Sequence, residues 1–382
     1  MKNNQLEKLS DYADYSKAKI SIAEIDTKCY FSTENMLPNK GGVTEAAGLP
    51  TQDNVTKVLP ENVLVSNIRP YFKKIYFANE LAGASNDVLC FVAKNGCLPR
   101  YLYYLLSSDS FFDYMMAGAK GTKMPRGDKG QIMNFPVWVP AQNEQSRIVS
   151  VLSALDEKIE NISKINHNLE EQLYALYASN YDNLSGKKVP LKECCSFQEG
   201  YVNPTQTKPE YFDGSVKWLR AVDINESFII STSRTLTEQG FASAGKSALL
   251  FPKDSIAISK SGTIGRLGIV ADNMCGNRAV INIVPKQKKW LAFIYCYLKS
   301  RQAEFSDLAV GSVQKNLYVS ILEPLEIFSP ADGVLNDFHF SAQTILEKMK
   351  NNCFEMQSLA QLRDALLPKL MSGEIDVSEV EV

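Results

Sequence analysis

The sequence predicts an α+β chain of two similar globular modules, each followed by a long helix, and three observations lead to that class. Matched residues recur at an offset of about 190 positions in a chain of 382. Short β-branched segments bounded by Pro, Gly, Asn or Asp alternate with helical ones, as in mixed strand and helix folds. Behind each module begins an apolar pattern with steps of three and four, the spacing of a helix that packs along a seam. A chain of this length also exceeds the usual size of one core.

The repeat is clearest at the exits of the modules. Gly121 pairs with Gly311, Ile132 with Leu322, Phe135 with Leu325, Val137 with Ile327 and Pro140 with Pro330, without a gap. Upstream, Thr44-Glu45 matches Thr237-Glu238, and Leu59 to Val65 matches Phe251 to Ala257. Downstream, Leu184-Ser185-Gly186 matches Met371-Ser372-Gly373. Within the modules, Val63 to Ile68, Val88 to Val92, Ser255 to Ile258 and Val280 to Val284 read as strands. Segments 99–116 and 288–307 read as helices. The expected division is 1–142 for the first module, 143–184 for its helix, 185–332 for the second module and 333–382 for the second helix with an acidic tail.

Asn143 to Gln145 supply the start of the first long helix, after Pro140. Its seam runs through Leu152, Leu155, Ile159, Ile162, Asn166, Leu169, Leu173 and Leu176. Asn166 is the polar member, at a position where a buried amide costs stability and fixes the register of two helices. The second helix repeats the spacing at Ala342, Leu346, Met349, Cys353 and Met356, then shifts phase to Leu359, Leu362 and Leu366 before Pro368. A seam of about four heptads spans roughly 40 Å, longer than a module of this size is wide. The expected partner of each helix is therefore the other, packed antiparallel across an internal pseudo-twofold.

Composition excludes several functions. A net charge of -2 does not suit a protein that coats nucleic acid through its overall field. The charge is uneven, because Ser372 to Val382 carries four acids and no base, which leaves the rest at +2. Basic residues cluster locally at Arg69, Lys73 and Lys74, at Lys120, Lys123, Arg126 and Lys129, and at Lys286, Lys288 and Lys289. The eight cysteines include no Cys-x-x-Cys pair, and His167 and His339 stand apart from any ligand cluster, so reduced, mostly buried thiols and no metal site are expected. Met1 to Lys8 lacks an apolar signal core, and the longest apolar run, Trp290 to Leu298, is too short for a bilayer, so a cytoplasmic protein is expected.

Gly240-Phe-Ala-Ser-Ala-Gly245-Lys246-Ser247 satisfies the phosphate-binding loop pattern, which offers a nucleotide-binding enzyme as the alternative function. Its context is poor: Ser231 to Gln239 is polar rather than a buried strand, and Pro252 limits the helix that would follow. The repeat's aligned Val55, Thr56 and Lys57 also lack the motif. Asp156-Glu157-Lys158 has the look of a nuclease fragment, but the heptad spacing places it on the outer, solvated face. No catalytic residue is assigned.

Two unlike reading heads on paired helices suit a DNA sequence of two unlike parts. Asn143 to Glu160, after Phe135 to Pro140, resembles the central conserved region of specificity subunits of type I restriction-modification enzymes, and Leu359 to Ile375 resembles their carboxy-terminal one. Tyr30 to Gly42 and Ser261 to Arg266 resemble segments of their target recognition domains. The resemblance implies a chain without catalysis of its own. It implies two target recognition domains that each read half of a bipartite site in double-stranded DNA, with the helices as a ruler for the spacer. It further implies two methyltransferase subunits, restriction subunits that are motor-nucleases, and S-adenosylmethionine, ATP and Mg carried by those partners rather than by this chain. The second helix, from Ala331, lacks the Glu144-Gln145 start of the first, so methyltransferase contacts there are expected to differ. Arg, Lys, Asn and Gln read bases, and other basic residues hold phosphates. The candidates are Arg69, Lys73, Lys74, Lys123 and Arg126 in the first domain, and Lys217, Arg220, Lys260, Arg266, Arg278 and Lys315 in the second. Gly262 and Gly265 are read as turn formers.

Overall fold

A computed structural model describes residues 6–181, 187–225, 227–311 and 314–380. The chain divides into two compact units, one of Met1–Lys158 with Leu359–Val382 and one of Ile159–Ser358. The division falls inside the two long helices, Gln142–Tyr181 and Asp332–Met371, so each unit owns part of both. The expected boundary at 184 and 185, and the repeat members Leu184, Ser185 and Gly186, lie outside the described residues.

In the first unit the strands Ala13–Tyr15, Val88–Ala93, Val63–Ser66 and Ile75–Phe77 form one antiparallel sheet in that spatial order. A second sheet orders Lys19–Ser21, Asn54–Val58, Ala82–Ala84 and Tyr30–Phe31, the last pair parallel. Helices Pro99–Leu106 and Asp109–Ala117 cover the first sheet, with Phe91, Tyr101, Phe111, Phe112 and Met115 almost wholly buried. The single helix expected over 99–116 is two, because the Ser108 hydroxyl accepts from the Phe111 amide and caps a new start. Ile132, Phe135 and Val137 share this core with Ile148 and Leu152 of the first long helix and Leu367 and Leu370 of the second.

In the second unit a five-stranded sheet orders Cys195–Glu199, Val280–Pro285, Ser255–Ser259, Leu267–Val270 and Phe228–Ile229. A four-stranded one orders Thr235–Leu236, Phe212–Leu219, Met274–Gly276 and Leu250–Phe251. Helix Leu291–Ser300 lies against the larger sheet, sharing a core with Leu173, Tyr177, Phe338, Ala342, Met349 and Cys353 of the long helices. The helices run antiparallel in this unit, since Tyr177 meets Phe338 while Asn166, a few turns earlier, meets Met349. All eight cysteines are free, and all but Cys29 are buried.

The repeat holds, with one correction of register. Val63 stands opposite Phe91 and Ile256 opposite Ile283, so the partner of Val63 is Ile256, one residue later than the side-by-side match of 59–65 with 251–257. The turn before the strand already stands in this register, since Glu61 and Asp254, as far apart as Val63 and Ile256, both adopt left-handed φ, 70° and 61°. Of the expected seam, Leu152, Ile162, Asn166, Leu346 and Met349 are buried and Leu155, Ile159, Leu169 and Met356 half-buried. Leu362 is a correction: it is 48% exposed, because Arg363 and Leu367 take the inward positions of that turn.

Candidate nucleic-acid interface

Three loops meet at one end of the first unit's antiparallel sheet. The chain leaving Val63–Ser66 is held by its neighbours: the Asn67 amide donates to the Asp87 carbonyl at 2.8 Å, the Gly127 amide to the Asn67 carbonyl at 3.1 Å, and the Arg69 amide to the Pro125 carbonyl at 2.8 Å. Lys120 and Arg126 close a hairpin through paired backbone bonds. The second unit builds the same frame. There the Lys260 amide donates to the Ala279 carbonyl at 2.7 Å, the Leu317 amide to the Lys260 carbonyl at 2.9 Å, and Val310 and Asn316 close the hairpin. Two copies of one junction thus stand on two sheets, with different side chains.

Nine of the eleven sequence candidates lie on these loops. Lys123, Arg278 and Lys315 are exposed and make no ion pair among the described residues. Arg126 is more than half exposed, with one guanidinium nitrogen 2.8 Å from Asp87. Arg69 has left-handed backbone, φ 50°, and a buried Nε without a hydrogen-bond partner among the described residues. Lys73 is paired with Asp109 at 2.9 Å. Lys74 turns inward to the Thr33 carbonyl at 2.5 Å, and burial lowers its pKa. Lys260 pairs with Glu199 at 3.3 Å and lies 4.8 Å from the centre of the Tyr318 ring. Arg266 donates to Asn225 at 3.1 Å. Gly262 and Gly265 have φ of +77° and +85°, which makes them turn formers as read. The remaining two stand elsewhere: Lys217 is paired with Asp272 at 2.9 Å, and Arg220 lies over Trp218 beside Asp223, with Thr235–Leu236 and Met274–Gly276 as the neighbouring strands.

Several residues have roles that spacing did not reveal. Asp156 is not on a solvated face: it accepts from the Tyr104 hydroxyl at 2.8 Å and from Arg363 at 2.8 Å, which ties the helix Pro99–Leu106 to both long helices. In the second unit Glu170 accepts from Ser227 and Tyr295 and pairs with Lys299 at 3.2 Å. Asp156 and Glu170 are two heptads apart and the tyrosines fall near the repeat offset, a signal that counting apolar residues alone passes over. Gln145 is 1% exposed; its carbonyl oxygen accepts from the Leu98 amide at 2.8 Å, and its nitrogen donates to the Pro140 and Gly96 carbonyls. Its repeat counterpart Leu335 is equally buried, so the missing glutamine in the second helix start is an exchange inside the fold. Arg234, which the spacing did not single out either, sits 4.1 Å from the centre of the Phe212 ring.

The phosphate-loop alternative is overturned. Gly240 lies within the short helix Glu238–Ala242, not at the end of a strand, and a Cβ there would stand 2.1 Å from the Tyr211 carbonyl oxygen. Lys246 and Ser247 belong to a single 3-10 turn, Gly245–Ser247, so no helix N-terminus faces a phosphate.

A family model for the type I restriction modification DNA specificity domain matches residues 6–171 and again 186–353. Over 349 aligned residues the chain is 25% identical to the type I restriction enzyme MjaIX specificity subunit of Methanocaldococcus jannaschii, covering 85% of this chain and 80% of that one. It is 23% identical to the type I restriction enzyme HindI specificity subunit of Haemophilus influenzae, covering 96% of this chain and all of that one. The crystal structure of a type I restriction-modification system S subunit from M. genitalium matches the fold with a TM-score of 0.54 at 17% identity, covering 97% of each chain. Among the described residues no helix is long and apolar enough to cross a membrane.

Proposed function

The chain belongs to the type I restriction modification DNA specificity family, and from that premise we propose how it divides the work of recognition. Each of its two modules reads one half of a bipartite DNA site through its three-loop junction. The two long helices set the distance between the halves and dock two methyltransferase subunits. The chain is the non-catalytic, DNA-recognising part of the assembly. The partners carry the chemistry: methyltransferase subunits bring S-adenosylmethionine to modify adenine, and restriction subunits bring ATP, Mg and cleavage. The domain limits that go with this reading are 1–142 and 185–332 for the recognition modules, and 143–184 and 333–382 for the helices. The cytoplasm is the compartment where such an assembly meets DNA.

One observation supports this division above others: a single hydrogen-bonded frame occurs twice with different side chains at its rim. A reader of one symmetric site would need matching rims, whereas a reader of two unlike halves needs the frame kept and the rim changed. Lys123, Arg278 and Lys315 suit phosphates, being exposed and without a carboxylate partner among the described residues, and Arg126 suits a base, being oriented by Asp87, with Arg69 beside it on the same junction. Footprinting of the assembled methyltransferase complex tests the reading. Two separated protected blocks are expected, and one contiguous block would refute it.

A further inference from the structure

The two hairpins that close the junctions share their backbone closely enough to be compared residue by residue. Lys120 and Arg126 exchange amide-to-carbonyl bonds of 3.0 and 2.9 Å, and Val310 and Asn316 do so at 3.0 and 2.9 Å. Each tip opens on a glycine of positive φ, +93° at Gly121 and +142° at Gly311. A Cβ at those positions would stand 3.3 Å from the Met124 carbonyl oxygen and 2.2 Å from that of Gln314, so each glycine makes room for a returning carbonyl. Both loops present exposed side chains: Met124 is 52% exposed, and its counterpart Gln314 is exposed as well.

On this common frame the side chains differ in hydrogen-bonding character. Arg126 stands where the second module has Asn316, and Met124 where it has Gln314. A bidentate guanidinium matches the O6 and N7 acceptors of guanine, and a carboxamide matches the N6 donor and N7 acceptor of adenine. A second difference follows the first. The residue whose carbonyl receives the junction amide is Asp87 in the first module and Ala279 in the second. Asp87 holds Arg126 at 2.8 Å, so a carboxylate is present where there is a guanidinium to orient and absent where there is an amide. One donor is spent on Asp87, and the rest of the fork stays free for a base edge; the Asn316 amide nitrogen donates to the Gln314 carbonyl at 3.1 Å, which leaves its second N–H and its oxygen for a base.

We propose that the residues closing these hairpins choose the bases, with Arg126 and Asn316 as specificity-determining residues, Arg126 selecting guanine in one half-site and Asn316 selecting adenine in the other. This rests on the bipartite reading above and adds the residue and base of each half.

The test uses the complete complex, with methylome sequencing of a host carrying it and binding to duplexes randomised in one half-site at a time. Arg126→Asn is expected to change one base position of one half-site, guanine losing about 5- to 150-fold of its preference, with the other half and the spacer unchanged. Asn316→Arg is expected to act in the other half alone, moving preference from adenine toward guanine. Unchanged preferences would overturn the assignment. Uniform weakening on every sequence would do so too, since it marks a phosphate contact. If Arg126→Asn fails to assemble, Arg126→Gln and Asn316→Arg are read by the same criteria. A wild-type complex with one contiguous motif would instead sink the bipartite reading, and that outcome is scored before any variant is compared.

Discussion

Asn166 donates to the Met349 carbonyl at 3.1 Å and accepts from Asn352 at 2.7 Å, with both amides at least 95% buried. Its place in the seam was legible, since it is the polar break in an apolar run. Asn352 was not, because it sits between the seam positions Met349 and Cys353 and only the packed helices bring it inward. Asn166→Ala would leave the Asn352 amide buried without this partner, and a loss of about 1–3 kcal/mol is expected in urea unfolding. Asn166→Leu with Asn352→Leu should recover much of it, since removing both polar groups removes the unmet need as well. Glu170 gives a pH signature. Burial pushes its pKa up, but the Tyr295 hydroxyl, the Lys299 ammonium and Ser227 outweigh that and hold it below its ordinary 4.5. A carboxyl with a lower pKa folded than unfolded stabilises above the unfolded value and loses that contribution as pH falls through the folded one. Glu170→Gln is therefore expected to be less stable near neutrality and to lose less stability on acidification below 4.5, measured by unfolding across pH.

The helix pair shows where periodicity reads well and where it fails. Leu152, Ile162, Leu346 and Met349 follow the heptad because their apolar side chains are buried at the expected spacing. Near the end of the second helix Arg363 enters the seam to meet Asp156, and a count of apolar residues skips it and lands on Leu362. A long basic side chain can occupy a half-buried position with its stem, which hydrophobic spacing does not register. Two substitutions separate the faces. Leu367→Ala should cost about 2–5 kcal/mol, because Leu367 is only 4% exposed in the first unit's core. Leu362→Glu should fall within about 0.5 kcal/mol of wild type in the same thermal or urea unfolding series. Equal costs would put Leu362 back in the seam.

For the whole molecule, the doubled α+β design was legible because the repeat preserves turns and apolar frames even where identity is low. The junctions were half legible: their basic residues stood out, but the hydrogen bonds that bring Asn67, Asp87 and Gly127 together join positions far apart in sequence. If the helices act as the ruler, deleting one heptad from each should change the tolerated spacer in methylome sequencing and leave both half-sites as they were. An unchanged spacer would refute the ruler.

The composition of the first unit has a consequence for biosynthesis. Its core includes Leu367, Leu370 and Val377, which are made after the whole of the second unit, since that unit ends at Ser358. Vectorial folding usually completes domains in the order of translation. Here the order is inverted: the module that emerges first from the ribosome closes last, after the one that follows it. A nonsense mutation beyond Ser358 would thus spare the later module and leave the earlier one unfinished.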